Sequence, residues 1–376
     1  MSEDAATLPA PPACDLPPAL PADSGVTAET HAIRRAVADA VKAAGAVRYR
    51  HKRRAELIRE CSSRAVGFRV GSAGATVQLA RCRDRVCPTC GKINAAHVAG
   101  ALRAVLDSES QNGERLLMFT LTLAHNRADR LKWLRQKLMK AWARLIRRKF
   151  WKEGVAEYHR VAEVELTVSG GWHPHLHVLV RVRRGSALYA TAANKVQALL
   201  REQWLAITAK LGRPSFMADV RKVDPETVLN ELVKYVTKHS ATGGKLGQLG
   251  LLQYTPAQLD EYLLAVKGWR LHGSSRGWRS IEQAYEEQLD AQAPETGADS
   301  VEMTWTEVKS MAEAGADGAL DLEQARAWKS TGELCRRALA ENGCRAQAEY
   351  LRVLLDRFAW HYADTLAERA AVLDSC

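Results

Sequence analysis

The chain has 376 residues, and its 54 lysines and arginines outnumber 43 aspartates and glutamates, giving a formal net charge of +11. A surplus this large favours a polyanionic partner, most often nucleic acid and less often an anionic membrane surface. No apolar run reaches the roughly 18 residues that a membrane-spanning helix needs. Eight cysteines in a long chain whose N-terminus does not resemble a signal peptide argue against a disulfide scaffold and indicate thiols in a reducing cytoplasm.

The composition divides the chain into four predicted parts. Residues 1–28 are rich in proline and poor in large apolar side chains, which predicts a disordered leader. Residues 29–110 combine basic helices, two short strands and a cysteine cluster, which together predict a basic zinc-binding segment. Residues 111–245 alternate strands and helices, and residues 246–376 are predicted to form a helical accessory region.

The third part carries the clearest pattern of elements. Runs of β-forming residues predict strands over 115–124, 158–168, 173–182 and 216–223, and helical spacing predicts helices from 131 to 145, 189 to 211 and 225 to 239. The resulting order is β-α-β-β-α-β-α. We therefore expect an α+β fold of the ferredoxin-like kind, with a central antiparallel sheet and helices on one face.

The stretch HPHLH places His173, His175 and His177 at alternate positions of a predicted strand, so their side chains share one face. The preceding strand carries Glu163 and Glu165, also on a common face, and either carboxylate could lie beside the imidazoles across a hairpin. Two histidines and one glutamate form a mixed site suited to a divalent ion such as Mn²⁺ or Mg²⁺. His173 is the weakest ligand candidate, and a structural or DNA-contacting role suits it better.

The stretch CRDRVCPTC places Cys82, Cys87 and Cys90 within nine residues, and its CPTC half is typical of a zinc knuckle. A structural Zn²⁺ site needs a fourth ligand. Cys61 is the first candidate, and His97 on the following helix is the alternative.

Basic residues surround the cysteines, and we expect the bound metal to hold this loop against DNA phosphates through Arg83 and Arg85. Two basic runs, residues 48–54 and 144–152, are further candidates for contact with the DNA backbone. The stretch GWRLHGSSRGWRS, residues 268–280, combines arginine, glycine and tryptophan. Its tryptophans either stack on unpaired bases or pack in the core.

The stretch NELVKYVTKHS places Glu231 and Tyr235 one turn apart on one face of a predicted helix, close to Lys234 and Lys238. A phenol with a pKa near 10 is a poor nucleophile unless cations or a metal favour its ionised form. On spacing alone, a tyrosine on an amphipathic helix is usually a residue that packs in the core.

Taken together, these segments resemble the HUH endonucleases, which are named for a His-hydrophobic-His metal motif. More narrowly, they resemble the rolling-circle replication initiators of small bacterial plasmids. The pieces that carry the resemblance stand in the family's order: FTLTLAHN (119–126), GWHPHLHVLV (171–180) and ELVKYVTK (231–238). Conjugative relaxases have the tyrosine before the histidines, whereas here it follows them.

The resemblance implies a role for single residues. His175 and His177 become metal ligands with Glu165, and Glu163 stays the alternative because the hairpin loop is about one residue short. The implied catalytic residues are Tyr235 as the nucleophile, Glu231 as the carboxylate used in termination, and Lys238, with Lys234 as a DNA contact. Cys61, Cys82, Cys87 and Cys90 also resemble the zinc-binding cysteines of these initiators.

The implied activity is the nicking and joining of single-stranded origin DNA through a 5′-phosphotyrosyl link, in a bacterial cytoplasm. The free 3′-OH would be extended by a host polymerase, with a host helicase as a further partner. Glu231 would then act as the general base in a hydrolytic release. The alternatives are a rolling-circle single-strand transposase, a non-catalytic zinc DNA-binding regulator and a metal-dependent phosphoesterase without a covalent step.

Overall fold

A computed structural model describes residues 28–47, 51–72, 74–111, 115–168, 170–223, 249–292 and 300–373. The fold is α+β, as predicted, with a central antiparallel sheet and a cysteine cluster in the N-terminal third. Within these ranges, no helix combines the length and the apolar character needed to cross a membrane.

The central sheet has five strands in the order β6-β3-β5-β4-β7, and every neighbouring pair is antiparallel. Its members are β3 (Leu116–Thr122), β4 (Val155–Thr167), β5 (Gly171–Val182), β6 (Ala218–Lys222) and β7 (His272–Ser274). A smaller sheet has the order β2-β1-β8, with β1 (Ala65–Gly71), β2 (Gly74–Leu79) and β8 (Val301–Thr304).

Helices surround both sheets. In the first half of the chain they are α1 (Ala28–Val47), α2 (Lys52–Arg59), α3 (Pro88–Gln111), α4 (Leu131–Leu145) and α5 (Lys149–Gly154). The later ones are α6 (Ala187–Ala190), α7 (Ala193–Ala209), α8 (Pro256–Val266), α9 (Arg276–Gln292), α10 (Trp305–Ala316), α11 (Leu322–Glu341) and α12 (Arg345–Leu373). Helices α4 and α7 connect β3 to β4 and β5 to β6, which is the ferredoxin-like arrangement.

One face of the central sheet packs on the largest hydrophobic core. Its inward side chains include Phe119, Leu176 and Val178, and α4, α7 and α8 supply the opposing layer. On the other face, Met118 and Leu179 pack against α3 and α9 through residues such as Leu102 and Trp278. Helices therefore cover parts of both faces, whereas the sequence predicts helices on one face only.

The hairpin between β4 and β5 sets the register of the two strands. Gly171 adopts a positive φ of 74°, and a Cβ at this position would lie 2.9 Å from Arg127 Cα, so only glycine fits here. Thr167 pairs with Gly171, which places Glu165 opposite His173 and Glu163 opposite His175. The turn thus decides which carboxylate meets which imidazole.

A second hydrophobic core lies between the small sheet and the C-terminal helices. Phe68 of β1 and Val77 of β2 pack with Val308, Trp328 and Leu351 from α10, α11 and α12. Strand β8 pairs with β1, and β7 pairs with β4. The described part of the predicted helical accessory region, residues 246–376, is therefore mostly helical but also supplies one edge strand to each sheet.

Candidate functional site

Two histidines and one glutamate converge on the face of the central sheet against which α3 and α9 pack. Glu163 Oε2 lies 2.5 Å from His175 Nε2 and 3.0 Å from His177 Nε2. All three side chains are buried, with at most 6% exposure. Alternation along β4 and β5 places them on one face, and the pairing of Glu163 with His175 brings the strands' functional groups into contact.

The donor set of this site fits a divalent cation. One candidate ligand atom from each of Glu163, His175 and His177 lies within 4.8 Å of the others. A carboxylate this deeply buried needs a counter-charge, which a metal ion supplies. In addition, His175 Nδ1 is buried without a hydrogen-bond partner. A set of two imidazoles and one carboxylate leaves further positions open for water or substrate oxygens.

A neighbouring strand holds one of these rings in place. Thr120 on β3 pairs with His177 on β5, and its Oγ1 lies 3.2 Å from His177 Nδ1. When Nδ1 donates its proton to this hydroxyl, the lone pair of the neutral ring stays on Nε2, which faces Glu163. Thr120 is therefore a positioning residue for this imidazole.

A second set of three ligand atoms adjoins the first and shares His175 with it. Glu165, His173 and His175 also offer atoms within 4.8 Å of one another, and His173 Nδ1 lies 3.8 Å from Glu165 Oε2. This set is more open, since the His173 side chain is 31% exposed. The structure thus places Glu163 against both histidines of the motif and Glu165 against His173.

His125 extends this row of imidazoles. Its ring stacks on His173 with a centroid distance of 4.7 Å and an interplanar angle of 19°, and its Nδ1 lies 3.1 Å from the carbonyl oxygen of Leu123. Burial, followed by the nearby His175 and His125, lowers the pKa of His173 to about 4. His125 lies in the FTLTLAHN stretch, far from HPHLH in the sequence. No sequence pattern therefore predicts that it stacks on His173.

The predicted nucleophile and its neighbours are in a part of the chain that has no structural description. Tyr235, Glu231, Lys234 and Lys238 all lie within residues 224–248, outside the described residues. Their roles therefore stay predictions from the sequence.

The four predicted cysteines meet in one cluster. Cys61 Sγ and Cys82 Sγ lie 3.5 and 3.6 Å from Cys90 Sγ, and all four sulfurs, with that of Cys87, are within 4.8 Å of one another. A tetrahedral Zn²⁺ with bonds of about 2.3 Å separates its sulfurs by roughly 3.8 Å. The cluster therefore fits this ion. The alternative ligand His97 is exposed on α3 and does not belong to the cluster.

Three separate elements bring these thiols together. Cys61 follows α2, Cys82 follows β2, and Cys87 and Cys90 flank the start of α3. Contact with the Cys82 thiol, and then with the other two, lowers the pKa of Cys61, whereas contact with Cys61 raises the pKa of Cys82 and Cys87. Cys61 is therefore the thiol of this cluster that ionises most readily to the thiolate form that binds metal.

The loop between Cys82 and Cys87 is anchored by Asp84. Arg54 donates two hydrogen bonds to its carboxylate, at 2.6 and 2.9 Å, and the Val86 backbone N–H donates another at 3.0 Å. Of the predicted DNA contacts, Arg83 is exposed at a positive φ of 54°. Arg85 is also exposed, and its Nη1 donates to the Val266 carbonyl oxygen at 3.2 Å.

The tryptophans of residues 268–280 are core residues. Trp269 and Trp278 are 3% and 1% exposed, so neither presents a ring on which an unpaired base could stack. Packing, one of the two alternatives from the sequence, is therefore the one that the structure shows.

Comparison with known proteins identifies the family to which this chain belongs. The model of a family described as replication protein matches residues 75–317, which is more than half of the chain. A protein named Protein rep from Lentilactobacillus hilgardii is 29% identical over 119 residues, which cover 30% of this chain and 38% of that protein. No significant match to a solved structure was found. The family match includes Cys82, Cys87 and Cys90, both strands of the histidine site and the segment with Tyr235. The chain belongs to the replication protein family.

Proposed function

We propose that the protein initiates plasmid replication by nicking and rejoining single-stranded origin DNA. The observation that carries the proposal is the convergence of Glu163, His175 and His177 at one buried carboxylate oxygen, in a chain of the replication protein family. The net charge of +11 suits a nucleic acid substrate.

His175, His177 and Glu163 would hold the catalytic divalent ion, Mn²⁺ or Mg²⁺. We favour Glu163 over Glu165 because its carboxylate contacts both histidines of the motif, whereas Glu165 contacts His173. When bound, the ion would polarise the scissile phosphate and stabilise the charge that develops on it.

Tyr235 is the proposed nucleophile. Its phenolate oxygen would bond to the phosphorus while the bond from phosphorus to the 3′-oxygen breaks, and the leaving 3′-oxygen takes up a proton. Lys234 and Lys238 would favour the phenolate by their positive charge. The products are a 5′-phosphotyrosyl link and a free 3′-OH, from which a host polymerase extends after a helicase opens the duplex.

Glu231 and the cysteine cluster complete the proposal. Glu231, one helical turn before Tyr235, would activate the water that hydrolyses the link at termination. Zn²⁺ bound by Cys61, Cys82, Cys87 and Cys90 would have a structural role, because four thiolates leave no open position on the ion. A rolling-circle single-strand transposase would share these features, but the replication family match favours initiation.

A covalent capture experiment tests the proposal. Single-stranded oligonucleotides that tile both strands of the replicon carrying the gene are incubated with the protein and Mn²⁺, and adducts stable to denaturation are mapped by mass spectrometry. We expect one adduct, on Tyr235, that is absent in Tyr235→Phe and in His175→Ala. Tyr362→Phe, which removes a hydroxyl from the surface of α12, is the matched control and should retain it. Absence of any adduct in the wild type, or an undiminished adduct in Tyr235→Phe, would refute the proposal.

A further inference from the structure

Three arginines from different elements converge on one short segment of main chain. Arg85 from the cysteine loop donates to the Val266 carbonyl oxygen at 3.2 Å, and Arg135 from α4 donates to that of Ala265 at 2.5 Å. Arg160 from β4 donates to the carbonyl oxygen of Arg270 at 3.2 Å. With Arg270 itself, which is exposed, they form a group that we name the arginine cluster.

No carboxylate is paired with the four guanidinium groups of the arginine cluster in the described ranges, although the nearby Asp84 favours the charged form of Arg85. The acidic side chains nearby have other partners: Asp84 pairs with Arg54, Glu282 pairs with His159, and Glu157 accepts hydrogen bonds from Ser275 and Gly277. Main-chain carbonyls fix the positions of the guanidinium groups but leave their full charge in place.

The pKa values of these arginines are consistent with a concentrated positive charge. Burial lowers the pKa of Arg135 and Arg160. Repulsion adds to this effect, from Arg85 on Arg135 and from Arg270 on Arg160. Positive charges that are held close together repel each other, and a bound polyanion relieves this repulsion.

The surroundings of the arginine cluster favour the backbone of a nucleic acid over its bases. Trp269, beside Arg270, is buried, and the Arg135 guanidinium covers its ring at 5.3 Å from the centroid. The ring thus anchors the segment and presents no stacking surface. Arg160 also lies three residues from Glu163 on β4, so the two side chains point to opposite faces of the sheet.

We infer that the arginine cluster binds the phosphodiester backbone of DNA at a distance from the phosphate that is cleaved. This inference rests on the proposed function, since it assumes a DNA substrate. It adds Arg135, Arg160 and Arg270 to the DNA contacts expected from the sequence.

Salt-dependent binding tests the inference. The full-length protein is titrated against a labelled 40-nucleotide strand and a labelled 40-base-pair duplex at several KCl concentrations. The slope of interest is that of the logarithm of the DNA association constant against log [KCl]. Because the variant Arg85→Gln/Arg270→Gln removes two charges, the magnitude of this slope should fall by about 1.4 on the strand or about 1.8 on the duplex. Arg85→Lys/Arg270→Lys, which keeps both charges, should retain most of the slope. The matched control Arg326→Gln/Arg337→Gln removes two exposed charges from α11 and should leave the slope unchanged.

Melting temperatures establish that each variant is folded before binding is compared. A reduced slope on either form of DNA supports the inference and shows which form the arginine cluster holds. An unchanged slope on both forms, or an equal reduction in the α11 control, overturns it. Formation of the Tyr235 adduct, measured on the same preparations, separates the two proposals. Absence of the adduct in the wild type refutes the proposed function. An adduct together with an unchanged slope refutes only the inference that the arginine cluster binds DNA.

Discussion

Glu163 and His175 face each other directly across strands β4 and β5, with the carboxylate Oε2 2.5 Å from the imidazole Nε2. The same oxygen lies 3.0 Å from His177 Nε2, so one carboxylate joins both histidines of the motif. Glu165 is also on this face, opposite His173. The two carboxylates are alike in chemistry and differ in the imidazoles that they contact.

Replacing Glu163 with glutamine should weaken metal binding far more than the same change at Glu165. The substitution removes the negative charge and keeps the shape of the side chain. We expect Mn²⁺ affinity, measured by titration calorimetry, to fall by at least about 10- to 100-fold. A loss of this size is typical when a residue that only hydrogen-bonds to a metal ligand is replaced, and Glu163 is proposed to bind the metal directly. Glu165→Gln is the matched control. An equal or larger loss in Glu165→Gln would assign the ion to the set with His173.

Replacing Glu231 with glutamine should separate cleavage from release. The amide cannot accept a proton from water, so we expect the Tyr235 adduct to form at an unchanged rate and to persist. The measurement is a time course of adduct formation and decay on a single-stranded origin oligonucleotide. Decay at the wild-type rate in Glu231→Gln would exclude this residue as the general base.

Replacing Cys61 with serine should remove zinc and destabilise the N-terminal part of the chain. The zinc ion would then keep only the three thiolates of Cys82, Cys87 and Cys90 and would lose its bond to the segment that follows α2. We expect zinc content below one ion per chain and a lower melting temperature, since each kcal/mol lost lowers Tm by roughly 2–4 °C in a domain of about 150–250 residues. His97→Ala, an exposed change on α3, should alter neither value. Full zinc content in Cys61→Ser would refute the Cys₄ site.

The buried contact between His51 and Asp260 should contribute strongly to stability. Its atoms lie 2.8 Å apart, and both side chains are about 5% exposed. His51→Ala removes the imidazole that lies against this buried carboxylate, and we expect a loss of about 3–5 kcal/mol in the free energy of unfolding by urea. The double variant His51→Ala/Asp260→Ala should lose less than the sum of the two single changes. Removing the exposed pair Arg352 and Asp356 should cost much less free energy of unfolding, because solvent screens surface ion pairs, and a similar cost at both sites would contradict this assignment.

His272 should make the protein less stable in mild acid. Burial, with the neighbouring His159 and the nearby Arg85 and Arg160, lowers its pKa to about 4, although Glu282 opposes this shift. The unfolded chain, with a pKa near 6.5, then binds more protons than the folded one, so stability falls as pH drops from about 6.5 to about 4. The melting temperature of His272→Gln should depend less on pH in this interval than that of the wild type. The exposed control His97→Gln should follow the wild type, and an unchanged pH dependence in His272→Gln would contradict the prediction.

The faces of the histidine site could be predicted from the sequence, but its register could not. Alternation along a strand places His175 and His177 together, and likewise Glu163 and Glu165, whatever the partner strand does. The choice between the two carboxylates depends on how the hairpin closes at Gly171, since its backbone has a positive φ. A difference of one pair in the register changes every cross-strand contact.

Contacts between distant parts of the chain were the least predictable. Strand β8 has four residues and little local pattern, and it pairs with β1 more than 220 residues earlier. Nor does spacing reveal that Trp269 and Trp278 are buried, or that His125 stacks on His173. These features follow from tertiary packing, which local propensity does not encode.

The pairing of β8 with β1 also has a consequence for shortened forms of the protein. Phe68, Val70 and Val77 are buried only because residues after 300 cover them. A stop codon before that point would leave a two-stranded hairpin with a bare apolar side and an open edge, next to the cysteines. Such an edge invites aggregation. A frameshift late in the gene would therefore yield an insoluble product and not a smaller folded protein.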